Sequence, residues 1–183
     1  SIRVYLLGSA IGALLFQRGL LLIHGNAIEV DGACVVCVGD SGAGKSTLAA
    51  AFLQEGYRLL ADDVVPVTEQ GLATPGFPRI KLWGDAARQL GIETKGLRRI
   101  MPDMEKFNVP LGERYCDTPL PIKWVYVLEI VDEGFACIPY EGMARFEPLH
   151  ENTYRVHFLE AMALKPKHLQ QVAQLAGNIR MAK

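Results

Sequence analysis

The sequence predicts an α/β domain, a mixed β-sheet with helices packed on it and further helices clustered at its C-terminal end. Three observations predict it. Short Val-, Ile- and Leu-rich runs alternate with a helical stretch in the first half, a glycine-rich turn joins one such run to that helix, and the pattern turns helical from about residue 143. At 183 residues the chain can bury one real core but hardly two. One domain over residues 1–183 is therefore expected, with more chain possible beyond either end.

The elements follow in order. The opening run VYLLGSAIGALLF is apolar for about thirteen residues. It is short of the roughly twenty needed to span a bilayer, and no basic flank marks it as a signal peptide. A buried helix over 5–16 is expected, with Gly8 and Gly12 as close-packing positions. So apolar a helix invites a partner surface, as in a homo-oligomer. An apolar run over 20–23 ends at His24-Gly25, and strands over 27–30 and 33–38 meet at Asp31-Gly32, a strong hairpin signal. The glycine loop 39–44 then opens a helix over 45–55, closed by Gly56 as C′ residue. A strand over 57–61 leads into Asp62-Asp63, followed by an apolar run 64–67, a turn at Gly71, a Pro-rich TPGFP and a short helix over 85–90.

Residues 91–121 read as a mobile, substrate-facing loop carrying charges of both signs. Runs 123–131 and 135–140 flank Asp132-Glu133-Gly134 as a second hairpin. Beyond residue 143, Asn152 or Thr153 is placed to cap a helix over YRVHFLEAM, and Pro166 to start a last helix ending near residue 181.

Composition excludes several functions. Nineteen Lys and Arg nearly balance twenty Asp and Glu, so no basic field exists to hold nucleic acid or an anionic membrane. The four cysteines form no disulfide framework. Cys34 and Cys37 stand three apart on a strand, hence on opposite faces, and read as buried filler rather than a redox or zinc pair. A reducing compartment, the cytoplasm, is expected.

The chemistry sits in Gly39-Asp40-Ser41-Gly42-Ala43-Gly44-Lys45-Ser46, which fits the P-loop pattern G-x-x-x-x-G-K-[ST] at every fixed position, with Thr47 following. The glycines let the backbone close around phosphates so that successive N–H groups form an anion nest. The helix N-terminus points at the same spot. Lys45 would bridge the outer phosphates of ATP, and the Ser46 hydroxyl would ligate Mg²⁺. The required context, a strand before and a helix after, is present.

Asp62 and Asp63 end an apolar strand, the place where carboxylates sit beside phosphates in such folds. One can hold Mg²⁺ and the other accept a proton from an attacking hydroxyl. Their position on the strand right after the glycine-loop helix is early for this fold type. His24 by itself reads as a structural histidine, and His150, His157 and His168 as surface residues without assigned roles.

Together, the His24-Gly25 step, the D-G hairpin, GDSGAGKS and the run GYRLLADD resemble the catalytic domain of the HPr kinase/phosphorylase family, closely over about residues 20–67. PGFPRIKLWGDAARQLG, EKFNVPL and PLPIKWVYVLE are similar to the smaller HPr kinase-like proteins of bacteria, some of which phosphorylate a serine of a lasso-peptide precursor. The resemblance implies a phosphoenolpyruvate carboxykinase-like mixed-sheet fold. It makes Asp62 the base for the acceptor serine and Asp63 a magnesium-side carboxylate, and puts His24 near that metal or the γ-phosphate. The family's acidic signature is replaced here by PRIKLWG and its arginine-bearing loop by PLPIKW. Lys123, Arg79 and Lys81 are the cations that could stand in for that arginine.

The expected activity is ATP- and Mg²⁺-dependent phosphorylation of a serine in a peptide or protein. An authentic HPr kinase/phosphorylase and a nucleotide-holding regulatory module are the alternatives, and a small-molecule acceptor is a further one. Arg98, Arg99, Lys106 and Arg114 read as a solvated charged loop, with recognition of an acidic substrate as the alternative.

Overall fold

The computed structural model describes residues 2–183. The chain opens with helices α1 (Ile2–Tyr5) and α2 (Ile11–Gln17), joined through a π-helical turn at Leu6–Ala10. Among the described side chains Ser9, Gly12 and Phe16 are buried, while Tyr5, Leu6 and Leu14 stay exposed. The expectation of a fully buried helix is thus corrected. The Tyr154 ring lies 3.0 Å from where a Cβ on Gly12 would stand, so that glycine is indeed a close-packing position.

Strands β1 (Leu21–Ile23), β2 (Gly25–Val30) and β3 (Ala33–Gly39) follow. Positive φ at Asp31 (49°) and Gly32 (72°) gives the two-residue turn that the D-G signal predicted. Helix α3 (Lys45–Gln54) ends as expected at Gly56, where the Gly56 and Tyr57 N–H groups donate back to Leu53 and Phe52. Then come β4 (Arg58–Ala61), β5 (Val65–Val67) and β6 (Leu72–Ala73), followed by a two-stranded arm of β7 (Arg79–Trp83) and β8 (Lys106–Pro110), with helix α4 (Gly84–Gln89) between its strands. After a 3₁₀ turn at Gly112–Arg114 comes β9 (Leu120–Leu128). A 3₁₀ turn at Gly142–Arg145 leads to α5 (Phe146–Glu151), α6 (His157–Ala161), α7 (Lys165–Asn178) and β10 (Arg180–Ala182).

The main sheet runs β1-β5-β6-β9-β3-β2-β4, with β10 also paired to β9. β3 and β10 lie parallel to β9 and the remaining pairs are antiparallel, so the sheet is mixed as predicted. The period of two along β3 sends Cys34, Val36 and Val38 into a core under α5 and α7, and Cys37 into a second core under α3, α4 and the arm. Both thiols are buried and unpaired, the filler role expected of them.

Five expectations fail, most of them because a non-local contact overrides a local signal. Residues 91–121 are not all loop, since β8 pairs with β7 and hydrogen bonds pin Arg98 and Ile100 to it. The hairpin over 123–140 does not form. Ile138 and Tyr140 instead hydrogen-bond to Lys183 and Met181 around β10, which takes the edge of β9. The last helix therefore ends at Asn178 rather than near 181, although Pro166 does sit in its first turn. Neither Asn152 nor Thr153 is an N-cap, because α6 starts only at His157, and Asn152 instead closes α5 as its C-cap. His168 is not a surface residue either. It is 2 % exposed, its Nε2 lies 2.8 Å from the Thr153 hydroxyl, and burial pulls its pKa down to about 4. Among the described residues no helix is long and apolar enough to cross a membrane.

Candidate active site

The glycine loop leaves the C-terminal end of β3, at the middle of the sheet, and runs into the N-terminus of α3. Gly42 and Gly44 hold φ of 97° and 92°, a backbone region that other residues enter only at a cost. Gly39 serves a different purpose. A Cβ there would stand 2.4 Å from the Leu128 carbonyl oxygen of β9, so this glycine lets the two parallel strands pair. The Lys45 ammonium folds back over the loop and donates to the Gly39 and Asp40 carbonyls at 2.6 and 2.8 Å. Partial burial pulls its pKa down, against the opposing charges of Asp63 and Asp40.

Asp62 and Asp63 leave the end of β4 and line one hollow with His24, Asn26, Ser46, Lys81, Trp83 and Lys106. Asp62 accepts from the Asn26 amide at 2.6 Å and from the Lys81 backbone N–H at 2.8 Å. Burial, reinforced by the neighbouring Asp63 charge, pushes its carboxyl up to about 6. Asp63 has the opposite character. Burial would raise it, but the Lys81 ammonium at 2.5 Å outweighs burial and holds its pKa below the usual value. Lys81 thus grips one aspartate through its backbone and the other through its side chain. Asp63 also stands at φ 76°, rare for a residue with a Cβ.

His24 Nδ1 lies 2.8 Å from the Asp63 carbonyl oxygen. A carbonyl only accepts, so Nδ1 carries the proton, and in the neutral ring Nε2 keeps its lone pair. The His24 N–H donates to the Asn152 carbonyl at 2.7 Å, while the Asn152 side chain accepts from Gly39 N–H at 2.9 Å. Asn152 therefore ties the histidine and the glycine loop to the end of α5. Asn152→Ala should lower stability by about 1–2 kcal/mol, read as a drop in Tm, because Gly39 N–H loses its partner.

The predicted residues come together. Gly39 to Thr47, His24, Asp62 and Asp63 converge around the end of the sheet, and of the three cations named for the missing arginine Lys81 contacts both aspartates. Lys123 does not, since it lines a separate hollow beside Gln171 and Gln174. Arg79 lines neighbouring hollows that also include Asp63. Sequence reasoning missed Asn26, Trp83 and Asn152, and gave Lys106 only to the charged loop. The Lys106 ammonium in fact sits 5.3 Å from the Trp83 ring on the lip of the site. The alternation of RIKLW and KFNVP was the signal that could have shown a strand pair bringing Lys81 and Lys106 here.

Residues 20–76 match the family model described as HPr Serine kinase C-terminal domain. Over that segment the chain is HPr kinase-like. That segment holds the glycine loop, His24, Asn26 and both aspartates, and stops before the β7–β8 arm. The HPr kinase/phosphorylase of Caldanaerobacter subterraneus subsp. tengcongensis is 43% identical over 51 residues, 28% of this chain and 17% of that protein. The HPr kinase/phosphorylase of Mycoplasmopsis pulmonis is 35% identical over 88 residues, 45% of this chain and 28% of its own length. The HPr kinase-like chain thus matches less than a third of either relative. A solved HPr(Ser) kinase/phosphatase from Coxiella burnetii aligns with 80% of this chain and 96% of its own at a TM-score of 0.41 and 16% identity, too distant a likeness to carry any detail of the fold.

Proposed function

We propose that this HPr kinase-like chain is an ATP- and magnesium-dependent kinase that phosphorylates a serine of a peptide or protein, a lasso-peptide precursor being one such acceptor. The observation that carries the reading is the division of the aspartate pair. One fold environment lifts Asp62 to about 6 while Lys81 keeps Asp63 ionised, the separation expected of a base and a metal-side carboxylate.

The hollow suits the groups this reading needs. Lys45, Lys81 and Lys106 line it together with a glycine loop whose backbone can cradle anions, a donor set matched to a polyphosphate. Among the described residues no three His, Cys, Asp or Glu converge as a metal cage. Mg²⁺ needs none, because it takes one or two protein oxygens and fills the rest with phosphate and water. Ser46 and Asp63 would supply those oxygens, and His24 Nε2 would face the same region. Bound magnesium would neutralise part of the phosphate charge.

The protein's own groups then act by position. Asp62 accepts the serine hydroxyl proton as the serine oxygen takes the γ-phosphoryl group and ADP departs. Lys45 and Lys106 balance the charge left on the phosphates, and Asn26 with the Lys81 N–H keeps the Asp62 carboxylate aimed. The unpaired cysteines fit a reducing compartment, the cytoplasm.

Mass spectrometry of serine peptides and HPr incubated with the protein, ATP and Mg²⁺ tests this. A phosphate gained on a serine is expected, and ATP bound without transfer to any acceptor would sink the reading. Lys45→Met should weaken ATP binding at least tenfold in a calorimetric titration, since it removes a phosphate-facing charge and the two bonds that shape the loop. Unchanged affinity would take Lys45 out of the nucleotide site.

A further inference from the structure

Asp63 and Lys81 also belong to a second hollow, of about 240 Å³, that contains none of the glycine loop. Its wall brings together Arg79 from β7, Arg98 and Arg99 from the segment before β8, and Arg155 from the turn between α5 and α6. Four arginines and Lys81 thus line one hollow with a single acidic residue, Asp63, which Lys81 already holds.

Arg98, Arg99 and Arg155 are exposed at their side chains, but the segments that carry Arg98 and Arg99, and the side chains of Arg99 and Arg155, have defined partners. The Arg98 carbonyl accepts from Asn108 N–H at 2.9 Å, and Ile100 N–H donates to the Lys106 carbonyl at 2.8 Å. Arg99 donates to the Pro102 carbonyl at 3.2 Å and lies over the Phe107 ring. Arg155 donates to the Tyr154 hydroxyl at 3.2 Å from a backbone with φ of 47°. These partners are neutral, so among the described residues the positive charge of Arg99 and Arg155 is left uncompensated. The sequence grouped Arg98 and Arg99 with Lys106 and Arg114. The fold parts them, with Lys106 on the lip of the glycine-loop hollow and Arg114 lining neither cavity.

We propose that this hollow seats a carboxylate side chain of the acceptor peptide, so that the preferred substrate carries an acidic residue close to the serine presented to Asp62. The proposal rests on the kinase reading for the role of that serine, but not for the binding of the peptide. Opposite charge in a preformed pocket fixes register and partner choice, and Arg matches a carboxylate with two parallel N–H donors.

The test is fluorescence anisotropy of a labelled serine peptide flanked by two Glu residues, beside its Gln counterpart, with phosphoryl transfer followed in parallel. The Glu peptide should bind about tenfold more tightly at low salt. That preference should vanish in R98A/R99A, survive in R98K/R99K and turn toward a Lys-flanked peptide in R98E/R99E. Equal binding of the Glu and Gln peptides overturns the proposal. So does an unchanged preference in R98A/R99A that keeps its native circular dichroism, or displacement of the Glu peptide by ATP alone, which would seat it in the glycine-loop hollow. A Glu preference without transfer would keep the pocket and remove the kinase reading, so the two can fail separately.

Discussion

Asp62→Asn should lower phosphoryl transfer by about 10²–10⁴-fold while ATP binding is retained, because it removes a general base and leaves the glycine loop untouched. The substitution is nearly isosteric. Asn26 can turn its amide so that its oxygen accepts from the newly introduced amide, and the Lys81 N–H still finds an oxygen. In the unsubstituted protein the rate should climb as pH rises through about 6, where the Asp62 carboxyl ionises, and fall away below it. Stability should move the other way. Between about 4 and about 6 the folded protein keeps on Asp62 a proton that the unfolded chain has released, so stability falls as pH rises across that window. Asp62→Asn should therefore be more stable at pH 7, by about 1–2 kcal/mol. Single-turnover transfer and thermal melts across pH 4–8 measure both effects. Full transfer by the variant would remove Asp62 as base, and a lower Tm would mean that its charge is not a strain on the fold.

Gly39→Ala should destabilise the domain by about 3–5 kcal/mol, a large part of the stability of an ordinary domain. The new Cβ would stand 2.4 Å from the Leu128 carbonyl oxygen, a backbone atom of β9 that cannot swing aside, and φ of 133° adds strain of its own. Gly42→Ala is the informative comparison. Its Cβ would meet nothing within 4 Å, so only the cost of a positive φ remains, about 1–2 kcal/mol. Urea unfolding of the two variants separates them. Equal losses would mean that the β3–β9 contact does not set the demand for glycine at 39.

Most of the site was legible because its residues lie close in sequence. The glycine loop, Lys45 and the aspartate pair fall between residues 39 and 63, and a strand-turn-helix context can be read from local periodicity and turn residues. Their partners were harder to see. Asn26 is an ordinary polar residue on a strand, and only pairing with β4 sets it against Asp62. Asn152 carried a helix-cap signal, yet its side chain binds a loop 113 residues away. Lys81 could be named as a cation, but not as the group that divides the two carboxylates.

The sequence alone determined the mixed α/β class, the D-G hairpin, the strand–glycine loop–helix unit and the aspartates beside it. All of these rest on interactions between near neighbours. Tertiary structure decided the rest. It placed β10 where a second hairpin was expected, made an arm from a charged loop, and brought arginines from three segments to one wall. Each of these depends on which distant strands share an edge, and the free energy of such a choice lies in burial and pairing that no local pattern records. The separation of Asp62 from Asp63 has the same origin. Two adjacent, chemically identical side chains differ because burial and the neighbouring charge raise Asp62, while β7 lays the Lys81 ammonium against Asp63.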